Sequence, residues 1–238
     1  MVKRAPELIV ALDVPTLDQA LALRQELDEI VGFFKVGKEL FTAAGPEILK
    51  RLSPARIFLD LKFHDIPQTV FGAVAAAARH GVDLLDVHAS GGEAMMRAAA
   101  EAARSAVDTV SRSRPLVFGV TVLTHLGDED LASIGILDSS LDQVMRLAGL
   151  AAKSGLDGIV ASAWEVEPIR EALGDRLQIL VPGVRPEWSG AAKDQKRVAT
   201  PRDAARFGAC YIVVGRAIAR ASSPREAAKR ILEELSEP

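Results

Sequence analysis

The chain has 238 residues, 49% of them apolar and 26% charged, enough for one large core or two small ones. Twenty-nine Lys and Arg against 32 Asp and Glu leave a formal charge of −3, with no basic excess for nucleic acid and no like-charged tail. The single Cys210 excludes an intramolecular disulfide and fits a reducing compartment.

At the start, "MVKRAPELIVALDV" has two early charges and a short apolar run broken by Asp13, without a small-residue cleavage site. No signal peptide is expected, and no apolar run approaches the length of a membrane span. A cytoplasmic protein is the expectation. The first strand is read over 8–14, "LIVALDV", and Thr16 with Gln19 has the spacing of a helix capping box. The second strand, "FFKVG" over 33–37, carries Lys35 among apolar neighbours. The third, "RIFLDLK" over 56–62, carries both Asp60 and Lys62. Strand side chains alternate, so these two share a face, as a local ion pair or as a working site.

Asp65 follows, just ahead of a helix start at Pro67, where a carboxylate serves equally well as a cap or in chemistry. Gly81 after His80 reads as a helix stop. The fourth strand, 84–90, carries His88 near its end, and the fifth, 115–123, runs into Thr124. His64, His80 and His88 each read more simply as structural histidines than as catalytic ones. Ser140 with Gln143 marks another helix start and Gly155 after Ser154 another stop. The sixth and seventh strands are read over 158–163 and 178–184.

After the seventh comes "GVRPEWSGAAKDQKRVAT", 183–200, far longer than the usual βα loop of roughly two to six residues. It is net positive and contains Gly, which reads as a closing lid or as a solvated insertion. Thr200-Pro201 opens a helix, and the eighth strand, 211–215, ends in "VVGR". Cys210, in "GACYIVV", reads as buried strand packing. Ser223-Pro224 with Glu226 opens the last helix.

The strand runs are apolar almost throughout, as in parallel strands covered on both faces. Eight of them alternate with eight helical stretches without a linker, which points to a single (β/α)8 TIM barrel over 1–238 with eight parallel strands. A doubly wound open sheet is the alternative, since strand count does not prove closure.

In a barrel the active site sits at the C-terminal strand ends. Asp13, Lys35, Asp60, Lys62, His88, Thr124, Arg185 and Arg216 all fall there. A structural Asp60–Lys62 pair would be costly to bury and seldom stabilises a fold over apolar packing, so its place at the rim favours function. Gly215 would allow close backbone approach and Arg216 would supply a forked donor, as a phosphate after strand eight requires; an ordinary strand-end turn is the plainer reading. No metal-binding, Gly-rich nucleotide or nucleophile-elbow motif is present, so the chemistry is assigned to acids and lysines.

These residues, "FLDLKFHDIPQT" with "ALDV", "FKVGKELF", "VTVLT", "VPGVRP", "DQKR" and "VVGR", resemble the orotidine 5′-phosphate decarboxylase family along the whole chain. The resemblance implies decarboxylation of orotidine 5′-monophosphate to uridine 5′-monophosphate without a cofactor or metal. It further implies that Lys62 donates a proton to C6, that Asp60 lies against the substrate carboxylate, and that Lys35 links the array and the ribose beside Asp13. A homodimer is implied, with Asp65 and Thr69 contributed across its interface. Arg185, Gly215 and Arg216 would hold the phosphate, Gln195 would bridge the lid, and Thr124 would lie near the base. His125 stands where the family usually has serine, which changes the contacts available to the base. Related enzymes acting on sugar phosphates with Mg²⁺ share the Asp-x-Lys-x-x-Asp pattern but place an acid near the Lys35 position. A non-catalytic phosphate-binding barrel would be expected to lack Lys62 or Asp60.

Overall fold

The computed structural model describes residues 5–106, 113–189 and 199–236. Eight parallel strands close a barrel in sequence order: β1 (Glu7–Ala11), β2 (Phe33–Gly37), β3 (Arg56–Phe63), β4 (Leu84–His88), β5 (Leu116–Val120), β6 (Gly158–Val160), β7 (Gln178–Pro182) and β8 (Tyr211–Val214). The open sheet is thereby excluded: β8 pairs with β1 over Glu7–Val10 and Tyr211–Val214.

The described residues form eleven α-helices: α1 (Leu17–Leu27), α2 (Lys38–Ala44), α3 (Glu47–Arg51), α4 (Pro67–Arg79), α5 (Gly92–Ser105), α6 (Asp128–Ser133), α7 (Ser140–Lys153), α8 (Val166–Leu173), α9 (Pro201–Phe207), α10 (Arg216–Ala219) and α11 (Pro224–Ser236). The three beyond the expected eight are the short α3, α6 and α10. Gly45, at φ +63°, and Pro46 separate α2 from α3, because neither residue continues a right-handed helix there.

Thr16 caps α1 by accepting the Gln19 N–H, and Thr200 caps α9 with Asp203 completing the box. The α7 cap is Ser139 rather than Ser140, one residue earlier than the spacing suggested, since Ser139 Oγ accepts the Asp142 N–H. The apolar helix after Pro67 packs inward: α4 buries Val70, Val74, Ala77 and Ala78.

Alternation along each strand divides the core in two. Outward residues such as Leu8, Val10, Phe34 and Leu59 pack under the helices. Inward residues, among them Ile9, Phe33, Phe58, Leu84 and Phe118, fill the barrel as a separate apolar plug. Above that plug, at the C-terminal strand ends, the same inward positions of the first four strands turn polar. Cys210 lies just ahead of β8, at the opposite end of the barrel, and is only partly buried. Its sulfur accepts from Arg170 at 3.2 Å, so the buried strand position expected for it is not what it has.

Candidate active site

Each charged residue of the site continues an inward-facing row. On β3, Phe58 faces the plug and Asp60 and Lys62 follow on the same side, while Leu59, Leu61 and Phe63 face the helices. The β3–β4 register shifts between Leu59 and Phe63, and inside this bulge Lys62 adopts φ +52°. A non-glycine residue held there costs on the order of 1–3 kcal/mol, a strain that recurs at functional sites. The Lys62 backbone N–H donates to Asp86 Oδ1 on β4 at 2.8 Å, fixing the bulge.

The bulge carries the Lys62 ammonium onto Asp60 Oδ1 in a close ion pair and leaves it 3.8 Å from Asp86 Oδ2. From β2, Lys35 reaches both Asp13 (2.8 Å) and Asp60 (3.2 Å). The result is an alternating row, Asp13–Lys35–Asp60–Lys62. Burial pushes the Asp60 carboxyl up, but the Lys35 and Lys62 ammoniums outweigh it and hold it at about 2. Burial lowers the Lys35 value, and the charges of Asp60 and Asp13 reverse this, so that it ends above its ordinary range. Both groups therefore stay charged at neutral pH.

Gly37 and Asp86 belong to this charged cluster by their geometry, and sequence reasoning missed both. A Cβ at Gly37 would lie 2.9 Å from Lys35 Nζ and 3.2 Å from Asp13 Oδ1, so only glycine leaves the ammonium its place. Its signal was the glycine ending the strand that carries Lys35. Asp86 is 1% exposed and was hidden inside an apolar strand run; reading every second residue of β4 inward from Leu84 would have found it.

Lys35, Asp60, Lys62 and Asp86 form one wall of a cavity of about 220 Å³. Its other wall, from β5 to β8, is apolar, with Val120, Val160, Leu180 and Val213, and Thr124 and His125 stand at its edge. His125 is exposed. His88, also on the inward row of β4, is held at about 4, chiefly by burial and then by His64 and Lys62, so it is uncharged at neutral pH. The ring centroids of His64 and His88 are 5.4 Å apart.

Arg185 and Arg216 line a second cavity, of about 400 Å³, after β7 and β8. Gly215 sits between the two regions: a Cβ there would be 3.5 Å from Asp13 Oδ2 and 3.4 Å from Ala11, ordinary contact distances. The base of the long segment after β7 is joined by the Arg185 N–H donating to Ala199 O at 2.9 Å. Trp188 is fixed to α11 by Glu234 and Arg230. Gln195 lies outside the described residues.

Asp65 and Thr69 are not brought into either cavity; both are exposed, beside Ile66, which is itself 66% exposed. Of the two readings open for Asp65, the helix cap is not what the structure shows: its carboxylate accepts the Ile66 N–H at 2.7 Å, and Ile66 is the cap residue of α4 without side-chain help.

Residues 6–231 match the family model described as orotidine 5′-phosphate decarboxylase / HUMPS family. The chain is 49% identical to the orotidine 5′-phosphate decarboxylase of Moorella thermoacetica, covering 96% of this chain and 92% of that one. It is similar to the crystal structure of orotidine 5′-phosphate decarboxylase from Lactobacillus acidophilus, with TM-score 0.85, 36% identity and coverage of 98% and 99%. It is likewise similar to the orotidine 5′-monophosphate decarboxylase of Methanocaldococcus jannaschii, solved with the inhibitor BMP, with TM-score 0.78, 26% identity and coverage of 98% and 99%.

Proposed function

The chain belongs to the orotidine 5′-phosphate decarboxylase / HUMPS family, and from that premise we propose that it converts orotidine 5′-monophosphate to uridine 5′-monophosphate without a cofactor. The enzyme class, a carboxy-lyase, is the one its relatives share over nearly their whole length. The observation that carries the mechanism is the Lys62 ammonium held on Asp60 inside a small cavity whose far wall is apolar.

The bond from C6 to the carboxylate breaks, CO₂ departs, and the electron pair stays on C6 with no adjacent carbonyl suited to delocalise it. The Lys62 ammonium stabilises that pair and then gives C6 its proton; solvent restores the lysine. Two unit charges about 4 Å apart at an effective dielectric near 20 interact by about 4 kcal/mol, or roughly three decades in rate. The remainder is assigned to preorganisation and to phosphate binding energy. Asp60, ionised at any working pH, faces the substrate carboxylate, and Lys35 and Asp13 hold the array and meet the ribose. Thr124 lies by the base, and Arg185, Gly215 and Arg216 take the phosphate.

Asp65 and Thr69, exposed beside Ile66, serve the neighbouring site of a homodimer in this reading, and the enzyme works in the cytoplasm. The Mg²⁺-dependent sugar-phosphate alternative is disfavoured because the Lys35 ammonium already lies between the two carboxylates, Asp13 and Asp60, that a cation would use.

The test is turnover of orotidine 5′-monophosphate in EDTA, followed by pyrimidine absorbance, beside Lys62→Ala. Turnover that survives chelation and falls by about 1,000-fold or more in the variant is expected. Loss of wild-type activity in EDTA would sink the metal-free mechanism.

A further inference from the structure

Asp86 is enclosed beside the charged row, yet the one cation near it, Lys62 at 3.8 Å, is already held in closer contact by Asp60. Asp13 and Asp60 balance Lys35 and Lys62, two against two. Asp86 Oδ1 accepts the Lys62 N–H, whereas Oδ2 is fully buried with no hydrogen-bond donor and stands 3.8 Å from Lys62 Nζ, beyond bonding distance. An ionised carboxylate there would add a third negative charge to an enclosed site and leave an oxygen unsatisfied, which is costly. A proton on Oδ2 removes both difficulties, because the acid then donates to an acceptor, and the neighbouring acceptor is Asp60.

We propose that Asp86 is a positioning residue held as the neutral acid, with Oδ1 fixing the strained Lys62 backbone and the Oδ2 proton donated to Asp60. The strained lysine and its counter-ion are thereby located by one side chain. Burial, and after it the Asp60 charge, push the Asp86 carboxyl well above its ordinary range, and a hydrogen bond from Asp86 helps hold Asp60 down. The groups that bear on it are Asp60 and Lys62 from β3, with Lys35 of β2 acting on Asp60; on its own strand His88 is uncharged at neutral pH, and its register partner on β5 is the uncharged Phe118.

Asparagine reproduces a neutral acid, with one oxygen to accept and one N–H to donate, whereas leucine fills similar space and does neither. The kinetic arm rests on the decarboxylase reading. Asp86→Asn is expected to keep kcat within about threefold, and Asp86→Leu to lose on the order of 100-fold in kcat with little change in KM, as misplacement of a catalytic group does. An Asn variant as impaired as the Leu variant would show that charge is required, and an unimpaired Leu variant would show that nothing is positioned; either overturns the proposal.

A second arm needs no turnover. Folded Asp86 keeps its proton above about pH 3.9, where the unfolded residue loses it, so wild-type stability falls as pH rises toward the folded value. Asp86→Asn lacks that loss. The denaturant midpoint of the Asn variant relative to wild type is therefore expected to climb as pH rises above about 4, until the folded value is reached. A pH-independent difference overturns the neutral acid. If the wild type does not turn over orotidine 5′-monophosphate, the functional reading fails while this arm still decides the state of Asp86.

Discussion

The first four strands and the last four build one cylinder and line its mouth in opposite ways. Ascending the interior, β1 to β4 lead to Asp13, Lys35, Asp60, Lys62 and Asp86, while β5 to β8 lead to Val120, Val160, Leu180 and Val213. The apolar half is what makes the charged half effective: it keeps water and its dielectric away from one side of the cavity, so fixed charges act strongly on whatever lies between. Charge beside the apolar half stands beyond the strand ends, as Arg185 and Arg216 after β7 and β8, or at the far end of the barrel. Arg114 grips Asp157 through two bonds of 2.8 and 2.6 Å, and Asp157 accepts the Val117 N–H at 2.9 Å, tying together the N-terminal ends of β5 and β6. Charges at the mouth are read as chemistry; the pair at the other end is read as structure.

Substitutions can break that contrast. Gly37→Ala places a methyl 2.9 Å from Lys35 Nζ and so shifts an ammonium pinned by two carboxylates. Steady-state kinetics should show a loss on the order of 100-fold in kcat, as misplaced catalytic groups give, with the melting temperature little changed. Unchanged kcat would mean that Lys35 tolerates movement and that the array is not preorganised.

Arg216→Ala probes the phosphate side. A lost charged hydrogen bond of about 1.5–3 kcal/mol predicts about a tenfold or greater fall in kcat/KM, and for a binding contact KM should carry more of it than kcat. An equal fall in kcat and kcat/KM would instead place Arg216 among groups felt only in the transition state.

The smallest effect is expected from Arg114→Ala. Its pair with Asp157 is partly exposed, so about 1 kcal/mol of stability should be lost in denaturant titration, with kcat unaltered. A kinetic defect there would erase the distinction between the two ends of the barrel.

Much of this was legible in the chain itself. The eight strand runs were visible because parallel strands covered on both faces are nearly all apolar. Pro67, Thr16 and Thr200 announced helix starts because capping chemistry is local. Asp60 and Lys62 stood out because an acid and a base two residues apart on one strand must share a face. Asp65 was the ambiguous case: the sequence allowed a cap, and the structure gives it a bond only to the next residue's N–H. Ser139 displaced Ser140 as a cap for a similarly fine reason, since two adjacent serines offer the same chemistry.

What the sequence determined by itself is therefore local and periodic: the elements, their inward and outward faces, and which charged residues end up at the strand mouths. Barrel closure, the β3 bulge that turns Lys62 to φ +52°, the clearance at Gly37 and the enclosure of Asp86 belong to the tertiary structure. The reason is physical. Each depends on the register between strands that are distant in sequence, and a residue's own neighbours carry no record of which charge will face it across the barrel.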